Sequence, residues 1–183
     1  VAFAHALKLA LVFRAELTIM HVDPDVSPEG FEDFPRIRPT LAQWGLLPES
    51  SSKSDVTTLG IRIRKVRALA ADAKQAIIHH LTAAPTDLMV LATHKHEGFA
   101  GWVHHAVAEP VSREMHVTTL FVPSNVAGFV ARTTGETSLH RVLLPISSQP
   151  PSQPAIDAAT VLVSQLGAPP VTMTLIHAGA ETE

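Results

Sequence analysis

A cluster of histidines is the first feature of this sequence that suggests chemistry. Four of them, His94, His96, His104 and His105, fall within twelve residues. In an extended loop His94 and His96 point to the same side, and His105 shares a helical face with Glu109 if one helix includes both. Because imidazole and carboxylate groups bind zinc, nickel or copper, His94, His96 and His105 are candidate metal ligands. Solvated loop histidines, the commoner case, and a pH-sensitive surface are the two alternatives.

Patterns that would indicate catalysis are missing from the sequence. It contains no cysteine, no G-x-S-x-G or H-E-x-x-H motif, and no pair of carboxylates on one predicted element. Ser112 is followed by Arg113 and Glu114 on a predicted helix, which is typical of exposed surface. We therefore expect a protein that is not an enzyme.

Composition and charge exclude several further classes. The 183 residues are 46% hydrophobic and 17% charged, which predicts a globular chain of one domain and a fraction. The net charge is −3 and the basic cluster 62–67 is short, which argues against nucleic-acid binding. No apolar run approaches the roughly 18 residues that cross a bilayer, and no secretion signal is recognisable. We expect a cytoplasmic protein with no membrane partner.

Strands and helices alternate along the chain, which predicts an α/β domain with a parallel sheet. Apolar spacing or continuous apolar runs indicate these elements: helices over 1–14, 71–83, 107–115 and 156–166, and strands over 17–22, 61–66, 88–92, 117–122, 141–146 and 171–177. Between the first two strands, residues 24–55 are rich in proline and serine and predict a long loop with one short helix near 41–47.

Two features of this pattern refine the predicted strands and helices. Residues 61–67 alternate apolar and basic side chains, which predicts an edge strand with one solvated face. Pro110 is tolerated only if its helix begins just before it, near Ala106 or Val107. Ligands of parallel sheets bind at the carboxyl ends of strands, so the loops after Val22 and Ala92 are candidate binding loops.

An internal repeat suggests a second domain. The predicted helix and strand at 1–22 recur in the same order at 155–177. The matching residues are Ala2, Ala6 and Leu9 with Ala155, Ala159 and Leu162, then Thr18 and His21 with Thr174 and His177. A period near 150 residues is the size of a domain.

Several segments resemble the universal stress protein family. They are Thr93-His94, Gly98-Phe99 and Val107-Ala108-Glu109 between Asp87–Leu91 and Leu120–Pro123, together with Ala15–Val22 and Arg141–Ile146. The resemblance covers most of 1–23, 60–123 and 140–178, and it does not extend to 24–59.

The resemblance implies a five-stranded parallel sheet with helices on both faces, the fold of the adenine-nucleotide alpha hydrolases. On that template residues 1–123 are one domain without its first strand, 124–139 are a linker, and 140–183 begin a second domain. The chain is then expected to be a piece of a tandem protein. The first strand would be central, and residues 141–146 have the character to fill its place beside 17–22 and 88–92, within one chain or by swapping.

Some members of this family bind ATP through a Gly-x-x-Gly pattern that is followed, after nine intervening residues, by Gly-Ser or Gly-Thr. In this chain those positions hold Ala92, Lys95, His105 and Ala106, so the pattern is degenerate. The candidate nucleotide-binding residues are Thr93, His94, Lys95, Gly98 and Ala106.

The resemblance implies a stress-response module that acts by association with itself or with a partner. In the family the last strand pairs across dimers or between tandem domains, which makes 117–123 the expected contact. The alternative is a nucleotide-binding switch or weak ATPase that uses residues 93–98. A metal-responsive module is a third hypothesis.

Overall fold

A computed structural model describes residues 1–23, 34–93, 107–147 and 149–177. The helices are α1 (Ala2–Phe13), α2 (Ile37–Gln43), α3 (Lys53–Thr58), α4 (Ala73–Ala83), α5 (Ala108–Met115) and α6 (Gln153–Leu166). The strands are β1 (Glu16–Asp23), β2 (Arg62–Leu69), β3 (Leu88–Thr93), β4 (Thr118–Pro123), β5 (Leu139–Ile146) and β6 (Gly167–His177).

The strands form three parallel pairs: β1 with β2, β3 with β4, and β5 with β6. The prediction of an α/β fold with parallel strands is therefore confirmed. Among the described residues, however, the strands make three separate two-stranded ladders, whereas the resemblance implied one five-stranded sheet.

The chain divides into two compact units. The first comprises 1–128 with 132–135, and the second comprises 129–131 with 136–183. In the second unit α6 packs against both β5 and β6, and Leu144, Ala159 and Leu166 are buried.

Helix α1 lies over both ladders of the first unit, since it packs against β1, β3 and β4. Its side chains Leu7 and Leu9 are buried. Helix α4 contacts β1 and α5, and α5 contacts β3 and β4. Leu81, Met89 and Val111 form a buried cluster that joins α4, β3 and α5. The helices, rather than strand hydrogen bonds, therefore connect the two ladders.

Most predicted elements are observed within two or three residues of their expected bounds. Helix α5 begins at Ala108, so Pro110 lies in its first turn, where a missing N–H is harmless. Helix α3 is absent from the predicted elements, because the serines before it indicate a loop. Ser52 and Asp55 form a capping box at its start, and this Ser-x-x-Asp spacing is the signal that sequence reasoning missed.

The structure contradicts the expectation that residues 141–146 fill a place beside 17–22 or 88–92 in the same chain. Strand β5 pairs instead with β6 from Arg141↔Thr172 to Ile146↔His177. The reason is local: β5, α6 and β6 are consecutive, so their pairing closes a shorter loop than pairing with residues more than 45 positions away. Within the described ranges, none of the helices combines the length and apolar character that crossing a bilayer requires.

Part of the predicted linker is held against the first unit. Trp44 donates its indole N–H to the carbonyl of Arg132 over 3.0 Å. Gly135 lies against the Trp44 ring, where a Cβ would overlap the indole, and its φ is +69°. Because Trp44 is itself buried, residues 132–135 are a fixed part of this unit.

His5 contacts a second part of the same predicted linker, at Gly128. Its imidazole is completely buried and donates Nδ1–H to the carbonyl of Val1 over 3.1 Å. Burial lowers the pKa of His5, which favours the neutral ring. Gly128 packs directly on this ring with a φ of +72°. The contact requires glycine, because any larger side chain would overlap the imidazole.

This contact predicts that Gly128→Ala lowers the free energy of unfolding by about 2–5 kcal/mol, from left-handed strain plus overpacking against His5. Gly45→Ala is the matched control: Gly45 has a φ of +70°, and no atom lies within 4 Å of the position that a methyl group would occupy there. That control should lose only about 1–2 kcal/mol. Urea unfolding measures both, and equal losses would contradict the packing role of Gly128.

Candidate functional site

The predicted nucleotide and metal residues follow strand β3. Of these, Thr93 is the last residue of β3 and pairs with Pro123 of β4. Its carbonyl accepts a hydrogen bond from the N–H of Ser124 over 2.8 Å, so this carbonyl is already used in the hydrogen bonding between β3 and the chain after β4. The structure therefore places Thr93 at the carboxyl end of a parallel strand, as expected.

The remaining predicted site residues lie outside the described residues: His94, Lys95, Gly98 and Ala106 of the nucleotide prediction, and His94, His96 and His105 of the metal prediction. Both sites stay predictions. Elsewhere, within 1–23, 34–93, 107–147 and 149–177, no group of three histidine, aspartate or glutamate side chains is arranged to hold a metal ion.

A different set of polar side chains meets at the carboxyl end of the β1–β2 ladder. The register pairs Ile19 with Lys65 and His21 with Arg67. Since alternate residues of a strand share a face, His21 and Asp23 of β1 lie on the same face as Lys65 and Arg67 of β2. The expected candidate loop after Val22 therefore begins at a charged surface.

Asp23 and Arg67 form an ion pair and hydrogen bond on this face. Their side chains are only 16% and 20% exposed, respectively. Partial removal from water strengthens the attraction but makes the loss of either charge costly. The pair therefore ties the carboxyl ends of β1 and β2 together.

Phe34 completes this arrangement. Its buried ring meets the His21 ring edge-on, with 6.0 Å between centroids. The Lys65 ammonium lies 5.2 Å from the Phe34 centroid, within the range of a cation–π interaction. We call His21, Asp23, Phe34, Lys65 and Arg67 the β1–β2 cluster. It contains two cationic side chains and one carboxylate.

Sequence reasoning anticipated this cluster only in part. It predicted a charged edge strand and a binding loop after Val22, and β2 does carry the charges. For His21 the structure shows an edge-on ring contact with Phe34. Phe34 itself was missed, because it lies 13 residues beyond His21 in a segment without periodicity.

The ion pair predicts that Asp23→Asn lowers the free energy of unfolding by about 1–3 kcal/mol, because a partly buried guanidinium loses its charged partner. The matched control is Glu109→Gln in the Arg113–Glu109 pair, whose side chains are 79% and 64% exposed. That change should cost less than about 0.5 kcal/mol. Thermal and urea unfolding at neutral pH measure both, and a control loss as large as that of Asp23→Asn would refute the stabilising role.

Comparison with known proteins agrees with this architecture. The family model described as the universal stress protein family matches residues 1–123, which contain both ladders of the first unit and the β1–β2 cluster. No curated protein matches the chain at a significant level. The family match covers well over half of the 183 residues, and the chain therefore belongs to the universal stress protein family.

Proposed function

We propose that this protein is a non-enzymatic stress-response module of the cytoplasm that acts by association with itself or a partner protein through residues 117–123. The observation that carries the proposal is the outer edge of β4. Within the described ranges β3 is the hydrogen-bonded neighbour of β4, and no second strand pairs with it. An edge of this kind is a template for pairing with another chain.

The geometry of β4 supports pairing at that edge. Ser124 donates to Thr93, and hydrogen bonds of parallel strands alternate along the chain. Thr119 and Phe121 therefore direct their backbone groups away from β3. The side chain of Phe121 is 41% exposed, which adds apolar area beside these groups.

Residues 140–183 are included in the proposal as part of a second domain of the same family. The internal repeat supports this, because α6 and β6 follow one another as α1 and β1 do. The alternative function is an adenine-nucleotide switch or weak ATPase at residues 93–98. The position of Thr93 at the end of β3 favours it, whereas the degenerate glycine pattern opposes it.

Association predicts that the purified protein sediments as a dimer at micromolar concentration and that Phe121→Glu shifts it to monomer, because a charge would be buried in the contact. Leu46→Glu is the matched control, since Leu46 is similarly exposed but belongs to the segment between α2 and α3 and not to β4. This variant should remain dimeric.

Two outcomes would contradict the proposal. One is that the wild-type protein is monomeric and binds no partner whose binding Phe121→Glu weakens. The other is stoichiometric adenine nucleotide in the extracted protein, with a thermal shift on ATP addition that Lys95→Ala abolishes. The second outcome would favour the nucleotide switch.

A further inference from the structure

His5 is a buried titratable group that the proposed association does not use. It lies on α1, its side chain is completely buried, and it donates Nδ1–H to the carbonyl of Val1 over 3.1 Å. Because Nδ1 already carries a hydrogen in this bond, a second proton can bind only at Nε2. The surroundings of Nε2 therefore decide how the ring responds to acid.

Gly128 covers the Nε2 edge of the ring. A Cβ built on Gly128 would lie 2.3 Å from Nε2 and 2.4 Å from Cε1 of His5, distances that no side chain could occupy unless something moved. The backbone of Gly128 is thus in direct contact with the edge of the imidazole that would take up the proton.

This cover is a single exposed stretch of chain. Residues 123–128 are all exposed, whereas His5 beneath Gly128 is not. The start of the stretch is fixed, because Ser124 donates its N–H to the carbonyl of Thr93 over 2.8 Å. Exposed segments with few buried contacts open locally at a lower free energy than core elements do. We call residues 125–128 the strap.

The other surroundings of His5 belong to the core of the first unit. Its helix neighbours Ala4, Leu7 and Leu9 are buried, and α1 packs on β1, β3 and β4. Movement of α1 to hydrate the ring would disrupt these contacts, whereas movement of the strap would leave them in place. Water therefore reaches Nε2 at the lowest cost when the strap is displaced.

Charged groups on the elements around His5 do not compensate its burial. Strands β3 and β4 and the strap carry no titratable side chain. Four further titratable residues lie on α1 and β1: Lys8, Glu16, His21 and Asp23. Of the two carboxylates, Asp23 pairs with Arg67 and Glu16 is exposed. Neither is a counter-ion for a buried imidazolium.

Burial is the main influence on the proton affinity of His5. It lowers the pKa, the hydrogen bond to Val1 opposes this shift, and the positive amino group of Val1 adds a smaller lowering. With the strap closed, the neutral ring is therefore favoured. This stabilisation is complete above the ordinary histidine pKa of about 6.5. It is lost as the pH falls below that value, because a hydrated ring binds the proton more readily.

We propose that His5 and Gly128 form an acid-sensitive latch, in which protonation of His5 at Nε2 releases the strap from α1 while α1 and both ladders of the first unit stay folded. Release lets water solvate the imidazolium, which the closed strap prevents. The strap begins two residues after the end of β4, so acidification changes the chain that flanks residues 117–123. The latch itself does not depend on association through those residues.

Titration of the full chain by two-dimensional NMR, from about pH 7.5 to about pH 4.5, tests the latch. We expect the ring of His5 to titrate with a midpoint below about 6.5. The amides of Ala127 and Gly128 should shift with the same midpoint and lose heteronuclear NOE, while those of Leu7 and Leu9 do not. Each unit by which closure lowers the pKa of His5 should raise the ratio of open to closed strap about tenfold at the acid limit.

A pair of histidine variants separates the latch from a general effect of acid. His5→Asn keeps an N–H donor for the carbonyl of Val1 but cannot be protonated in this range, so the strap should no longer respond to pH. His79→Asn is the matched control, because it replaces an exposed histidine of α4. This control should keep the full response.

A pair of glycine variants tests the strap from the other side. In Gly128→Ala the added Cβ holds the strap away from the ring, so the midpoint of His5 should rise towards about 6.5. Gly45→Ala introduces a methyl group into open space at a similar φ and should leave the midpoint unchanged. If His5→Asn does not fold, this pair provides the same test.

Three results would overturn the proposal. In the first, His5 titrates while Gly128 is unaffected, which would show that the ring is protonated beneath a closed strap. In the second, the strap responds to acid equally in His5→Asn, or the midpoint of His5 is the same in Gly128→Ala as in the wild type. In the third, His5 stays neutral until Leu7 and Gly128 lose their native resonances together, which would be global unfolding.

Discussion

The first unit depends on helix α1, because α1 packs on two ladders that share no strand pairing among the described residues. In a continuous sheet, inter-strand hydrogen bonds would hold neighbouring strands in register. Here side-chain packing holds the two ladders together. Leu7 and Leu9 of α1 contribute on the side of that helix, and the buried cluster of Leu81, Met89 and Val111 contributes through α4, β3 and α5. His5 and Gly128 fasten the following segment to the same helix.

The contacts that stabilise the first unit are distinct from the strand edges that remain available for pairing. The Asp23–Arg67 pair and the Phe34 contacts close the carboxyl end of the β1–β2 ladder. The outer edge of β4 and one edge each of β1 and β3 present backbone groups that the described strands do not use. The association proposed for this member of the universal stress protein family rests on the outer edge of β4.

Elements with strong local signals were predictable from the sequence. Continuous apolar runs identified β3 and β4, and Pro110 located the start of α5. The partner of β5 was not predictable, because its apolar character is compatible with any parallel ladder. Its pairing with β6 follows from the short connection through α6, which the apolar pattern does not reveal. The spacing of apolar residues also could not predict which side of α1 is buried, because apolar residues occur all around this helix. The buried residues are Ala4, His5, Leu7, Leu9 and Ala10. Phe34 reaches the β1–β2 cluster through tertiary packing that no local pattern encodes.

In the described part of the chain β1 and β3 each pair along one edge only, and amide exchange of the chain alone tests this pairing most directly. At concentrations where the protein is not associated, we expect the amide exchange rates to alternate from residue to residue along β1. Arg62 donates to the Ala15 carbonyl and Ala70 to the Asp23 carbonyl, so odd-numbered residues of β1 face β2. Leu17, Ile19 and His21, which bond to β2, should exchange at least about tenfold more slowly than Thr18, Met20 and Val22. Equal protection of both sets would contradict one-edge pairing, because it would show that β1 is paired on both edges.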